Sequence, residues 1–170
     1  MITADSPAAA GLSEDDLARR EKAFEEKKRK LKKPHMFISP TRLSVRNLPK
    51  SVGDKELRDL FKQGVLAQDP AALPAIRQAK VVLDDQNKSK GFGFVEFKKH
   101  EHALLALRDL NNNPQYFGEK RRPIVEFALE DKRVVDRHRA QQLAQKKKAK
   151  ADKKAKVTNG FLCDSLIGNN

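Results

Sequence analysis

At 170 residues the chain has room for one domain with appendages, and its formal net charge of +13 points to a polyanionic partner. The lone cysteine, Cys163, excludes an internal disulfide. No apolar run is long enough to span a bilayer and no charged-then-apolar leader opens the chain, so a soluble intracellular protein in a reducing compartment is expected.

The charge is uneven. Residues 1–16 hold four acids and no Lys or Arg, residues 17–33 have net charge +6, and residues 130–156 have +7. The segment between the two basic flanks has +5. An acidic, disordered N-terminus is therefore expected over 1–16, followed by a basic charged helix over 17–33. Ser13 and the three acids after it could cap that helix, since carboxylates suit its positive end. Leu17, Phe24 and Leu31, seven apart, make a thin apolar stripe on the rod. The helix is expected either to stand solvated, held by pairs such as Glu25–Arg29, or to lie on phosphates. Pro34 ends it.

The apolar run His35–Ile38 is broken by Ser39-Pro40, and Arg42–Leu48 reads as the first strand. Leu43 and Val45 point inward; Arg42, Ser44 and Arg46 point outward. A helix is expected over Asp54–Gln63, burying Leu57, Leu60 and Phe61. An insertion follows Gly64, punctuated by Pro70 and Pro74. Ile76–Leu83 is the second strand, with Ala79, Val81 and Leu83 inside and Lys80 and Val82 outside.

Lys90-Gly91-Phe92-Gly93-Phe94-Val95-Glu96-Phe97 is the third strand and the most informative stretch. Alternation puts Val95 and Phe97 in the core and Lys90, Phe92, Phe94 and Glu96 on the open face. The glycines are expected to let the helices behind the sheet approach. Two exposed aromatics beside a cation form a platform on which unstacked bases can lie.

A second helix is expected over His100–Leu110, with Ala103, Ala106, Leu107 and Leu110 toward the sheet. His100 and His102 stand two apart, on different sides of a helix, and read as surface residues rather than metal ligands. Asn111–Pro114 stops the helix, and Tyr116-Phe117-Gly118 should pack under the last strand, Pro123–Ala128. There Val125 and Phe127 face the core, and Ile124 and Glu126 face the platform. Glu130–Lys156 reads as a helix with a fading stripe of Val134, Val135, His138 and Leu143 and a lysine-rich end that suits polyanions or nuclear targeting. The tail over 157–170, apolar over 161–167, reads as incidental, with a short docking peptide as the alternative.

The element order gives an α+β, ferredoxin-like βαββαβ fold: a four-stranded antiparallel sheet with two helices on one face and basic helical extensions at both ends. Lys90–Phe97 fits the RNP1 pattern of the RNA recognition motif (RRM) at every specified position. Leu43–Leu48 resembles the second signature, RNP2, except that Ser44 stands where a base-stacking aromatic is usual. Arg46 could compensate by laying its guanidinium over a base. The domain is expected over 38–129. Phe92 and Phe94 would stack bases, Lys90, Lys80, Arg42 and Arg46 would meet phosphates or base edges, Ser44 would offer a hydrogen bond, and Glu126 stands on the same face.

Met36–Pro49, Asn111–Pro114, Phe117-Gly118 and Arg122–Phe127 resemble the last RRM of the nucleolar multi-RRM family of RNA-binding protein 28 and nucleolar protein 4. The basic flanks are similar too. The resemblance implies a nuclear, nucleolar factor of large-subunit ribosome assembly that binds pre-ribosomal RNA, with assembly proteins as further partners. Family members usually carry several RRMs; this chain has one. No enzyme is expected, and no cofactor, metal, membrane or small-molecule substrate. The alternative is a protein-interaction RRM whose sheet is covered by a helix or partner.

Overall fold

The computed structural model describes residues 7–9, 11–119, 121–141 and 143–145. The chain divides after Glu130 into two compact units. In the first, a 3-10 turn at Pro7–Ala9 precedes helix α1 (Glu14–Leu31). Strand β1 (Met36–Arg46), helix α2 (Asp54–Gln68), strands β2 (Ile76–Leu83) and β3 (Ser89–Phe97), helix α3 (His100–Leu110), the short α4 (Pro114–Phe117) and strand β4 (Ile124–Asp131) follow.

The four strands form one sheet in the order β2-β3-β1-β4. β3 pairs antiparallel with both β1 and β2. This is the expected α+β arrangement. Leu43 and Val45 from β1, Val95 and Phe97 from β3, Leu57, Phe61 and Val65 from α2, and Ala103, Ala106 and Leu110 from α3 make the core behind the sheet. Phe61 and Phe97 meet there as tilted rings 6.3 Å apart. The opposite face carries the platform.

Several expectations change in detail. β1 is not broken at Ser39-Pro40 but starts at Met36. Its register with β3 covers Arg42–Arg46, so the N–H that Pro40 lacks removes no bond from that pairing. α2 runs through Gly64 to Gln68 rather than stopping at Gln63. A Cβ at Gly64 would sit 3.0 Å from Leu110 Cγ, so glycine is what lets α2 and α3 close on each other. Leu83 is exposed, not inward, because the β2–β3 register shifts between Val81 and Leu83.

The RNP1 glycines do different work. Gly91 has φ +75°, a left-handed conformation that suits glycine, and its carbonyl accepts from the Leu48 N–H at 2.9 Å. Gly93 meets both a neighbouring strand and a helix: a Cβ would lie 2.7 Å from the Lys80 carbonyl oxygen and 3.1 Å from Leu57 Cδ2.

His102 is buried rather than at the surface, and its Nδ1 accepts from the Ala75 N–H at 3.5 Å. His100 stacks on Phe127 with ring centroids 5.5 Å apart. Tyr116 and Phe117 pack against the core as expected, and the Tyr116 hydroxyl donates to Asp109. Burial, with that hydrogen bond and the nearby negative charge, pushes the Tyr116 hydroxyl well above its ordinary pKa.

In the second unit, residues 132–141 and 143–145 are helical. Arg133 pairs with Asp131 at 3.2 Å, and Val134 and Leu143 are exposed. The lysine-rich end and the 157–170 tail lie outside the described residues.

Candidate nucleic-acid interface

Register fixes the platform. Ser44 lies opposite Phe94 and Arg46 opposite Phe92 across β1–β3, and Lys80 lies opposite Phe94 across β2–β3. Phe92 and Phe94 meet edge to face, with centroids 6.2 Å apart, and both remain partly exposed. Ser44 Oγ donates to the Glu126 carbonyl at 3.3 Å, which joins β1 to β4 at the platform.

Helix α1 is the component that the apolar stripe misplaced. Phe24 and Leu31 are exposed, while Asp16, Arg20 and Ala23 are buried. Ser13 caps the helix by accepting from the Asp16 N–H at 3.2 Å, as the acids after it suggested. Its attachment to the sheet domain is polar. Asn47 Nδ2 donates to Asp16 Oδ1 and to the Arg122 carbonyl, each at 3.0 Å. Arg19 donates to Asn47 Oδ1 at 3.0 Å and Arg20 to Asn112 Oδ1 at 3.1 Å. Lys27 pairs with Glu126 at 3.6 Å. Asn47 and Asn112 both have left-handed backbones, with φ of 63° and 64°, a conformation that asparagine tolerates better than most residues. Desolvation lowers the Arg20 pKa, opposed by the charges of Asp16 and Glu126.

The result is a cleft of about 780 Å³ between α1 and the open face of the sheet. Phe92, Phe94, Lys90, Ser44, Arg46 and Glu126 line it, so six of the eight residues singled out from sequence come together. Arg19, Lys22, Lys27 and Lys30 line the helix side, and Lys50 and Arg121 add two more cations. Eight bases and two acids thus face one space, an electropositive groove beside partly exposed aromatics. Ala23 and Ile124 also line it and are buried, though neither belongs to the core cluster. Ile124 also shares a smaller recess with Arg20 and Lys27 of the helix.

Arg42 and Lys80 are outside the lining. Arg42 lies over the Phe94 ring, 4.8 Å from its centroid, and pairs with Glu130 at 3.0 Å. It therefore stacks on the platform's own aromatic. Lys80 lies 3.4 Å from Asp54. Arg46 and Lys90 make no ion pair among the described residues. Sequence reasoning missed Asn47, Asn112 and Arg121; the available signal was an asparagine at the end of β1 and another after α3, where a left-handed backbone is tolerated. Among the described residues no group of His, Cys, Asp or Glu could hold a metal ion.

The profile "RNA recognition motif" matches residues 71–121, which include Lys90–Phe97 but not the strand that carries Ser44. Over 142 residues the chain is 43% identical to RNA-binding protein 28 of Homo sapiens, covering 79% of this chain and 18% of that relative. It is 31% identical over 74 residues to polyadenylate-binding protein 5 of Arabidopsis thaliana, covering 44% and 10%. The chain thus spans a fifth or less of the length of these relatives. Among solved structures, a Sxl-lethal protein–RNA complex is similar with a TM-score of 0.44 and 28% identity, over 54% of this chain and 49% of that one. The first two RRM domains of the yeast poly(U)-binding protein give 0.41 and 25%, over 56% and 49%. Motif, strand order and the sequence matches together place the sheet domain in the RNA recognition motif family.

Proposed function

We propose that this protein binds single-stranded or looped RNA through the cleft between β3, β1 and α1, and does so without catalysis. One observation carries the reading: Phe92 and Phe94 lie partly exposed on a sheet face that opens into a groove lined by eight cations. Aromatic faces stack bases of any sequence, and the cations neutralise phosphates. Its similarity to RNA-binding protein 28 supports the same reading. The RNA is pre-ribosomal RNA, bound in the nucleolus of the nucleus during assembly of the large ribosomal subunit alongside assembly proteins. That finer reading rests on the resemblance of Met36–Pro49 and Arg122–Phe127 to the nucleolar multi-RRM family and on the two basic flanks.

A second reading, a protein-binding sheet, draws on Arg42 lying over Phe94 and α1 standing against β4. The basic lining of the remaining cleft favours RNA over it. Crosslinking in cells, with sequencing of the RNA and mapping of the crosslinked peptides, tests both. Pre-ribosomal RNA attached to the peptide holding Phe92 and Phe94 is the expected result. Crosslinks confined to residues 130–156 would reject the cleft, and a different RNA class would reject the nucleolar role.

A further inference from the structure

We propose that α1 is the phosphate-binding wall of this cleft, so that one RNA strand threads between helix and sheet with bases toward Phe92 and Phe94 and phosphates toward Lys22 and Lys30. The inference rests on the RNA-binding reading above and adds the path and the residues that fix it.

The helix is anchored, not tethered. Asp16 is buried and bonded to Asn47, and Arg20 reaches Asn112, so both contacts hold the first two turns against the sheet domain. That fixes which face of the helix looks into the cleft. Lys22 and Lys30 line it, whereas Lys28, Arg29 and Lys32 do not; Lys22 also borders the neighbouring recess that those three line. Lys27 also faces the cleft, but its charge is partnered by Glu126. Lys22 and Lys30 are exposed and make no ion pair among the described residues.

The two walls differ in chemistry. The sheet wall presents aromatic rings beside Arg46 and Lys90, and the helix wall presents four cations and Glu26 but no aromatic ring. A single strand has the matching division, with bases on one side and phosphates on the other. A duplex turns its bases inward and offers phosphates on both sides, so it cannot reach the rings. An acidic peptide would satisfy the lysines and leave Phe92 and Phe94 unused.

The test uses the full chain and a short labelled single-stranded RNA of mixed sequence, alone and annealed to its complement. Fluorescence anisotropy across a salt series compares Lys22→Ala/Lys30→Ala with Lys28→Ala/Arg29→Ala, two variants of equal charge change in one helix. Circular dichroism confirms that both keep the helix. The Lys22/Lys30 variant should bind the single strand more weakly, and its slope of log affinity against log salt should flatten by about 1.4, from roughly 0.7 per lost phosphate contact. The Lys28/Arg29 variant should match the wild type, and the duplex should bind more weakly than the single strand. Equal losses in both variants would reduce α1 to diffuse charge and overturn the wall. No loss in either, or duplex binding as tight as the single strand, would overturn it too. Phe92→Ala/Phe94→Ala separates the two levels. A loss there with no Lys22/Lys30 effect sinks only the wall; no loss there sinks the underlying sheet reading, and the threading path with it.

Discussion

The open face of the sheet has two halves that obey one alternation and end in different environments. On β3, Phe92 and Phe94 point away from the core and stay partly exposed. On β4, Ile124 and Glu126 point the same way, yet Ile124 is only 3% exposed and Glu126 is paired with Lys27. Both halves line the cleft, but α1 comes closer to β4: Lys27 pairs with Glu126, and Arg20 and Lys27 share a recess with Ile124. An outward position on a strand is therefore a statement about direction, not about solvent. On the proposed function the β3 half serves binding and the β4 half stability, and substitutions should separate them.

The largest expected effect is on the β3 half. Phe92→Ala with Phe94→Ala should remove roughly 2–6 kcal/mol of single-stranded RNA affinity if each ring holds one base. Urea unfolding should change little, since neither ring is in the core cluster. Arg42, which stacks on Phe94, would lose that contact as well. Anisotropy titration together with a denaturation curve reads both quantities, and a stability loss that accounts for the binding loss would erase the distinction between the halves.

Next comes the β4 half. Ile124→Ala should cost about 2–5 kcal/mol of stability, the usual range for truncating a buried Ile. At temperatures where the variant stays folded, its RNA affinity should fall far less than that of the Phe variant. A shift of the urea midpoint is the readout. An unchanged midpoint would mean that α1 does not seal Ile124 from water in solution.

A gain is expected between the halves. Ser44 lies opposite Phe94 and lines the cleft, so Ser44→Tyr adds a ring to the platform at the cost of one 3.3 Å hydrogen bond to the Glu126 carbonyl. Affinity for generic single-stranded RNA should rise by about 1 kcal/mol from the added stacking. A loss of affinity would show that α1 leaves no space there.

The smallest effect lies away from both halves and serves as a control. The Tyr116 hydroxyl, partly buried and bonded to Asp109, has its pKa raised in the folded protein. The unfolded chain therefore gives up this proton first. Its contribution is fully present below about pH 10 and is lost as pH rises through the folded value. Tyr116→Phe should make stability less dependent on pH in that alkaline range, with RNA affinity at neutral pH unchanged. Denaturation of both proteins between neutral and alkaline pH measures the difference.

The sequence by itself determined the sheet and its two faces. Leu43, Val45, Val95 and Phe97 pointing inward, and Phe92, Phe94, Ser44 and Arg46 outward, follow from a period of two that each strand carries locally. The capping of α1 by Ser13 was equally local. Tertiary structure decided which outward residues stay wet. The docking of α1 depends on Asn47 and Asn112, far from Asp16 and Arg20 in the chain, and no periodicity reports a polar contact across such separations. The stripe of Leu17, Phe24 and Leu31 pointed to a different face, because a helix anchored by buried polar groups need not bury its most apolar side. Leu83 turned outward through a register shift in its pairing with β3, and Arg42, lying over Phe94, is paired with Glu130 of β4. Each of these outcomes is set by a partner from another element, and that is information the linear pattern does not carry.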